Sequence, residues 1–559
     1  MQKIDQMKIY KFKIQVFTLL VLLLAFIGCD DEKFLTEDPK TFYTTDNIFS
    51  SETQVDQVLI TMYSDLRQFR TRNYQAKGFS TDVMDAPEFR VSTTFGDYSR
   101  INPESSEFSD TYNFYYRLIA NANTALYAAS LESISFESAE KKAYLIAQAR
   151  FFRAYAHGIL AELFGGVPIV TEIATEPRYD YVRETREATY QFAIDELEAI
   201  LNDLPETTTQ DGRIVKGAAQ HYLAEFYLGL GIETSNAAAY DQAIKYASDV
   251  INGGTYALMT ERFGARKDEP GKDVYWDLFR INNINYSDGN MESIWTFQID
   301  FDAYLAEDGE SYLNYPRYYM PVYRAIVGFD GVAEDAGGRG VAFYKQTPYA
   351  GDLVWDESIS ANDQRGAEHN IIRTIIYNDP NYPDLYGTEV PQDVIDFTNE
   401  GRGWVYPIIF KLTTDQFVGL DQGQNRSNLF RDEYAIRLAE TILLRAEAYH
   451  RKGDNQMAAN DLNLIRARAQ CDIMVAPGDV DIDFILDERA RELFGEECRW
   501  NTLLRMGGTV AVDRIREYAM HPVTPLTLTF DYNLWPIPQS AIDRNKDVKM
   551  AQNPGWENR

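Results

Sequence analysis

Residues 139–164 read AEKKAYLIAQARFFRAYAHGILAELF, and this stretch sets the fold class. Its apolar residues recur at helical spacing and so predict one long helix with a buried face; they are Leu145, Ala149, Phe152, Ala156, Ile159, Leu160 and Leu163. Gly165-Gly166-Val167-Pro168 follows and predicts the end of the helix. An amphipathic helix of this length must bury its apolar face against other elements.

Further helices are predicted on both sides of a region with little periodicity. The predicted helices are Ala188–Leu204, Lys216–Leu230, Tyr240–Ile251 and Phe484–Met506, the last with Asp483 as its N-cap. Between them, residues 255–430 are rich in Gly, Pro, Asn and Asp and predict loops. One strand is predicted there, at Ser293–Ile299.

Two of the helix pairs follow the template of a tetratricopeptide repeat, in which small residues let two helices approach and large ones fill the groove. The later pair places Ala446, Tyr449, Ala458, Leu462 and Ile465 at those positions, and the earlier pair places Ala224, Tyr227, Ala243, Ala247 and Val250 there. The pairs are separated by about two hundred residues of different character, which argues against a simple repeat array.

Composition excludes several classes of function. The 559 residues contain 54 Lys and Arg against 85 Asp and Glu, a net charge of -31, which would repel a nucleic-acid backbone. Three cysteines exclude a disulfide-built scaffold, and whether Cys471 and Cys498 pair is left open. The sequence contains no zinc-protease, Cys-x-x-Cys or nucleophile-elbow motif, so no catalytic or metal-binding residue is predicted.

The N-terminus predicts a lipoprotein signal. Four lysines precede the short apolar run Ile14–Ile27, and Gly28 then precedes Cys29. Residues 1–28 are interpreted as a signal peptide that resembles a bacterial lipobox, with cleavage before an acylated Cys29. Residues 29–50 would be the tether. The alternative is an ordinary secretory signal with an incidental cysteine.

Aromatic residues are concentrated in 275–355, where ten Tyr and three Trp lie among Asp, Asn and Gly. Aromatic rings can stack on the apolar faces of sugars while polar neighbours bind the hydroxyls. A second polar and aromatic loop runs from Thr81 to Tyr112. The predicted ligand contacts are Asp82, Phe95, Tyr98, Tyr304, Tyr315, Tyr318, Tyr319 and Trp355. The alternative is that most of the tyrosines pack the loops onto the helices, with about a quarter of them reaching ligand.

Ordered segments along the chain together resemble the SusD/RagB family of outer-membrane lipoproteins of Bacteroidota. They are FLTEDP (34–39), RFFRAY (150–155), LFGGVP (163–168), RIVKGAA (213–219), AIKYASDVINGGTYAL (243–258), RLAE (437–440), RAEAY (445–449), ERAREL (488–493), Arg499-Trp500, WPIP (535–538) and QNPGW (552–556). The acidic Asp30-Asp31-Glu32 after Cys29 is similar to the family's signal for export to the outer face of the outer membrane. A solvated tether would have the same composition.

The resemblance implies a mainly α fold, with tetratricopeptide-like helix pairs forming a right-handed superhelical scaffold, a large loop-rich region and a few short strands. It implies a non-enzymatic protein that captures oligosaccharide and delivers it to a SusC-like TonB-dependent transporter. The matched motifs belong to the scaffold, so Glu440, Arg445, Glu488 and Arg489 are expected to form ion pairs between helices. No ligand-binding residue carries over.

The expected organisation is an N-terminal helical part at 51–254, a ligand-facing loop region at 255–430 and a C-terminal helical part with an extended tail at 431–559. Three alternative functions stay open, namely peptide import by a RagB-like protein, a surface glycosidase and a scaffold that grips only the transporter. No cofactor is expected, although a structural calcium ion in the acidic loops is left open.

Overall fold

The computed structural model describes residues 10–13, 48–72, 77–87, 97–174, 176–308, 311–330, 337–417, 426–521, 523–528 and 533–557. The predicted anchor Cys29 lies outside these residues, as does the whole apolar run Ile14–Ile27 before it. Within the described part of the chain, no helix has the length and apolar character needed to cross a membrane.

The fold is mainly α, as predicted. Its helices are α1 Glu52–Arg72, α2 Ser106–Ser130, α3 Ala139–Phe164, α4 Arg186–Glu198, α5 Lys216–Thr234, α6 Ala237–Asn252, α7 Val274–Asp277, α8 Phe301–Ala303, α9 Tyr315–Tyr319, α10 Pro348–Gly351, α11 Glu357–Ser360, α12 Gln392–Asn399, α13 Leu438–Lys452, α14 Asn455–Arg468, α15 Ile482–Leu493, α16 Arg499–Arg505, α17 Val510–Tyr518, α18 Val523–Thr527 and α19 Gln539–Arg544. The strands are β1 Met84–Asp85, β2 Ser293–Phe297, β3 Lys345–Gln346, β4 Ile371–Ile372, β5 Ile408–Ile409 and β6 Glu433–Arg437. They form three antiparallel pairs, β1–β3, β2–β6 and β4–β5.

Helix α3 spans the residues predicted for it because its end signals are local. The Ser138 hydroxyl accepts the Lys141 N–H and caps the first turn, and Gly165 ends the helix with a φ of 74°. Most of the helix from Leu145 onward is buried, so α3 lies at the centre of the helical core.

The predicted helix Phe484–Met506 is wrong as a single element. The chain forms α15, leaves the helix after Leu493 and resumes as α16. Gly495 has a φ of 74°, a conformation that interrupts a helix. The N-cap is Asp481 rather than Asp483, since the Asp481 carboxylate accepts the Phe484 N–H at 2.7 Å.

The two tetratricopeptide-like pairs are α5–α6 and α13–α14, and they stack on each other through α6 and α13. Leu228 and Ala243 from the first pair share one buried cluster with Leu444 and Ala448 from the second. The small alanines permit this close approach. The long segment between the pairs therefore leaves the stack and returns to it.

That intervening segment is tied to the helices by a buried two-stranded sheet. Strand β2 pairs with β6, and β6 leads directly into α13. The Trp295 indole of β2 donates to the carbonyl of Gly212 at 2.8 Å. The loop region has a second hydrophobic core of its own, in which Tyr315, Tyr319 and Tyr323 are buried.

The charged residues of the scaffold motifs form buried ion pairs, as expected. Glu440 pairs with Arg489 at 3.1 Å, and Arg445 pairs with Asp461 at 2.7 Å. Glu488 accepts from three arginines, which are Arg365, Arg466 and Arg491. These motif residues are therefore paired inside the protein, as counter-ions rather than as ligand contacts.

The two cysteines whose pairing was left open are both free thiols. Cys471 is buried, and Cys498 is half-buried. Among the described residues, no group of three or more His, Cys, Asp or Glu side chains is arranged to hold a metal ion.

Candidate functional site

Four aromatic side chains of the loop region meet at the protein surface, and we call them the aromatic surface. They are Phe301, Tyr304, Tyr312 and Phe430. The Tyr304 ring lies edge-on to the Tyr312 ring at 5.5 Å and to the Phe430 ring at 5.1 Å. Phe430 is buried, whereas the other three rings are half-buried and so present part of their area to solvent.

Hydrogen bonds hold the backbone beneath the aromatic surface. The Asp300 carboxylate accepts the N–H groups of Asp302 and Ala303 and caps α8. The Asp300 N–H donates to the Ser311 hydroxyl at 2.8 Å, and Arg67 of α1 donates to the same oxygen at 3.2 Å. The segment that carries Tyr304 is therefore fixed to the first helix.

Asp432 holds the start of the same segment. Its carboxylate accepts the Ile299 N–H at 2.6 Å and the Asn285 side-chain amide at 2.7 Å. Burial raises the pKa of Asp432 to about 6, and the nearby Asp288 and Asp211 act in the same direction. This acid therefore titrates above the usual range of an aspartate, and its hydrogen bond to Ile299 attaches the segment that leads to the aromatic surface.

Charged and apolar neighbours surround the aromatic surface. The Arg72 guanidinium carbon lies 5.2 Å from the centroid of the Tyr312 ring, within cation–π range. Asp302 is exposed beside Tyr304, and Leu305 is 60% exposed. Ring faces with polar groups at their edge can bind a ligand that has both apolar faces and hydroxyl groups.

Four of the predicted ligand contacts lie instead in the core. Both Asp82 oxygens are used by Arg499, at 2.5 and 2.9 Å, and Arg514 donates to one of them at 3.1 Å. Burial alone would raise the pKa of Asp82, but these guanidinium groups hold it below its ordinary value. In this structure Asp82 is the buried counter-ion of Arg499 and Arg514.

The remaining core residues are Tyr98, Tyr315 and Tyr319. Tyr98 is fully buried and donates to the carbonyl of Ser80 at 2.7 Å. The Tyr315 hydroxyl donates to Glu433 at 3.0 Å, and Tyr319 packs edge-on to Tyr315 at 5.5 Å. Tyr98 is enclosed by the helical core, and Tyr315 and Tyr319 are enclosed by the second core, so none of the three rings offers a face to a ligand in this structure.

The structure leaves Tyr304, Tyr318 and Trp355 half-exposed, but it does not bring the three together. Tyr318 packs against Phe343 at 4.8 Å, apart from the cluster around Tyr304. The Trp355 ring packs against Gly366, since a Cβ added to Gly366 would lie 2.7 Å from the indole. The indole N–H of Trp355 donates to the carbonyl of Ala350. Phe95 lies outside the described residues.

The sequence-based prediction of ligand contacts did not include Tyr312, Phe301, Phe430 or Arg72, although Tyr312 is one of the ten tyrosines counted in 275–355. Phe301 lies within 275–355, among the tyrosines and tryptophans that mark this region as aromatic. Phe430 is adjacent to Leu429, whose backbone pairs with that of Leu313 at 2.9 Å in both directions. No sequence pattern predicts the pairing of Leu313 with Leu429, because more than a hundred residues separate the two segments.

Comparison with known proteins extends over most of the chain. The family model described as "SusD family" matches residues 397–556, and the one described as "Starch-binding associating with outer membrane" matches residues 33–228. The starch-binding protein SusD of Bacteroides thetaiotaomicron is 27% identical over 453 residues, which cover 74% of this chain and 72% of that protein.

Solved structures share the fold. A SusD homolog from Bacteroides thetaiotaomicron superposes with a TM-score of 0.69 at 18% identity and covers 92% of this chain and 98% of its own. A laminarin-binding SusD-like protein superposes with a TM-score of 0.65 at 21% identity and covers 91% and 100%. The two family models match the N-terminal and the C-terminal parts of the chain, and the solved structures share its fold in the region between these parts as well. This chain is therefore a member of the SusD-like family.

Proposed function

We propose that this protein is a non-catalytic lipoprotein that binds glycans at the cell surface through the aromatic surface. The observation that carries the proposal is the pair of half-exposed rings, Tyr304 and Tyr312, set edge-on at 5.5 Å and bordered by charged side chains. The relative described as starch-binding and the structural neighbour described as laminarin-binding support the same class of ligand.

The geometry suits a sugar chain better than a small charged ligand. Two rings at an angle offer faces to successive sugars of a curved chain, and the exposed Asp302 and the nearby Arg72 supply hydrogen-bond partners for hydroxyl groups. The net charge of -31 opposes polyanions. A neutral oligosaccharide is the ligand class that meets both conditions.

The proposal of a binding protein rather than a glycosidase rests on how the local acids are used. A general acid needs a raised pKa and access to the substrate. Asp432 has the raised pKa, but its oxygens accept from Ile299 and Asn285 and hold the chain in place. Glu162 has a pKa raised by burial to about 7, but it lies inside the helical core.

Affinity electrophoresis through gels containing starch or laminarin tests the proposal. We expect the full chain to be retarded by at least one glycan, and Tyr304→Ala and Tyr312→Ala to reduce the retardation. Tyr386→Ala is the matched control, since Tyr386 is 56% exposed and lies outside the aromatic surface. Unchanged mobility on every glycan would refute glycan binding, a mobility shift on oligopeptides would favour peptide import, and release of reducing sugar would indicate a hydrolase.

We further propose that Cys29 carries the lipid anchor and that a SusC-like TonB-dependent transporter receives the captured oligosaccharide. The family description that associates its members with the outer membrane supports this location. Labelling with a radioactive fatty acid should mark the wild-type chain and not Cys29→Ser. Co-purification of a TonB-dependent barrel with the tagged lipoprotein tests the partner, and its absence from solubilised outer membranes would refute that part.

A further inference from the structure

A second concave site lies among the N-terminal helices and the C-terminal tail. It is a cavity of about 500 Å³ lined by residues of α2, of α19 and of the segments at 168–174 and 176–181. Its volume is within the range typical of small-ligand sites. It shares no lining residue with the aromatic surface. No part of the proposed function uses it.

Four tyrosines line this cavity, and hydrogen bonds hold two of them, Tyr116 and Tyr181. The Tyr112 and Tyr116 rings lie 4.7 Å apart, and the Tyr116 hydroxyl donates to the carbonyl of Pro168 at 2.8 Å. The backbone N–H and carbonyl of Tyr181 both bond to the side chain of Asn545, each at 2.8 Å. Tyr179 stands at the mouth and is 44% exposed. The apolar wall is thus formed before any ligand arrives.

A second cavity of about 420 Å³ adjoins the first along the same two segments. The two share Val170, Glu172, Ile173, Ala174, Arg178 and Tyr181 in their linings. The second cavity also borders Thr171 and Glu176, so its lining is richer in polar groups. The combined cleft runs from a wall of tyrosine rings to an edge of hydroxyl, carboxylate and guanidinium groups.

The chemistry of the cleft selects its ligand class. A purely hydrocarbon ligand would remove water from the charge of Glu172 and from the Arg178–Asp180 ion pair where it covers them, at a cost in free energy. An anionic ligand would meet Glu172, Glu176 and Asp180, all exposed on the same two segments, in a protein of net charge -31. A neutral sugar chain has apolar ring faces for the tyrosines and hydroxyls for the polar edge.

We infer that this cleft is a second glycan-binding site, which takes a neutral oligosaccharide. The inference shares its ligand class with the proposed function but rests on different residues. A protein with two separated sites would hold a long chain at two points, which increases its apparent affinity for polymer over short oligosaccharide.

Two variants probe the cleft without disturbing the core. Ala120 is exposed on α2 and lines the cavity, so Ala120→Trp fills the space and removes no packing contact. Tyr179→Ala removes the ring at the mouth. Tyr386→Ala again serves as the control for loss of an exposed tyrosine. Each full-length variant is titrated calorimetrically with laminarihexaose and with maltohexaose, and its melting temperature is measured alongside.

We expect the wild-type chain to bind one of these hexaoses at two sites. Ala120→Trp should abolish one site, Tyr179→Ala should weaken that site about tenfold, and Tyr304→Ala should weaken the other. If both cleft variants keep two sites with unchanged affinities, or if the wild-type chain shows a single site that only Tyr304→Ala weakens, the cleft is not a glycan site. If the wild-type chain binds neither hexaose nor any glycan in the gels, the proposed function fails together with this inference.

Discussion

The Arg445 guanidinium donates to the Ser248 hydroxyl at 3.0 Å and so links two helix pairs that are nearly two hundred residues apart in the chain. The same guanidinium pairs with Asp461 at 2.9 and 2.7 Å within its own helix pair. One side chain therefore ties α13 both to its partner α14 and to α6. This arrangement explains why an arginine lies in the helix motif that defines the later pair.

Replacing Arg445 by Ala should destabilise the stack. Asp461 would be left buried without its counter-ion, a change that typically costs about 3–5 kcal/mol. The measurement is the melting temperature or the midpoint of urea unfolding. Arg178→Ala, which removes an exposed pair with Asp180, is the control and should change stability by less than about 0.5 kcal/mol. Equal melting temperatures for the two variants would contradict the structural role of Arg445.

Asp82→Asn should lower stability and leave glycan binding intact. Asp82 is the shared counter-ion of Arg499 and Arg514 and is fully buried, so its neutralisation should cost about 3 kcal/mol or more. Melting temperature and gel retardation are measured on the same sample. Asp302→Asn, at the exposed border of the aromatic surface, should show the opposite pattern. Loss of retardation at an unchanged melting temperature in Asp82→Asn would return this residue to the ligand site.

The carboxyl of Asp432 should impose a pH dependence on stability. Its pKa is about 6 in the folded chain against an ordinary value of 3.8, so folding favours the protonated acid. The contribution that protonated Asp432 makes to the stability of the folded chain is complete below about pH 3.8 and is lost as the pH rises through about 6. Asp432→Asn removes this titration. The free energy of unfolding of the wild type minus that of the variant should therefore fall by up to about 3 kcal/mol from pH 4 to pH 7.

Unfolding curves in urea at several pH values measure that difference. Asp393→Asn, at an exposed acid of α12, controls for the change in net charge and should run parallel to the wild type. A difference between wild type and Asp432→Asn that is constant from pH 4 to pH 7 would show that Asp432 ionises normally in the folded protein.

Gly158→Ala should destabilise the contact between α3 and α5. A Cβ at Gly158 would lie 2.1 Å from the Phe226 ring, so the helices would have to move apart, at a cost of about 1–3 kcal/mol. Gly478 has no neighbouring atom within 4 Å of an added Cβ, and Gly478→Ala is the matched control. Thermal unfolding compares the two. A melting temperature of Gly158→Ala equal to that of Gly478→Ala would mean that the helices do not pack this closely.

The regular elements could be predicted where their end signals are local. Helix α3 agrees with its prediction at both ends because the Ser138 cap and Gly165 are adjacent to it in the chain. The helix predicted at 484–506 fails because apolar spacing continues across Gly495, whose backbone conformation breaks the helix. A glycine inside a helical pattern is compatible with both outcomes.

The candidate site was harder to predict because burial depends on residues far away in sequence. Tyr315, Tyr318 and Tyr319 lie within one helix of five residues, too short for periodicity to reveal a buried face. The fold buries Tyr315 and Tyr319 in the second core and leaves Tyr318 half-exposed. Composition located the region that carries the aromatic surface, but it could not separate packing tyrosines from those that face solvent.

The sequence by itself determined the helical class, the ends of α3, the helix-pair template and the family resemblance, because each of these is written in neighbouring residues and their spacing. Only the tertiary structure decided that α6 stacks on α13, that Asp82 belongs to Arg499 and Arg514, and that Phe430 joins Tyr304 at the surface. The physical reason is that burial and ion pairing arise from segments hundreds of residues apart, whose meeting is fixed by packing of the whole core.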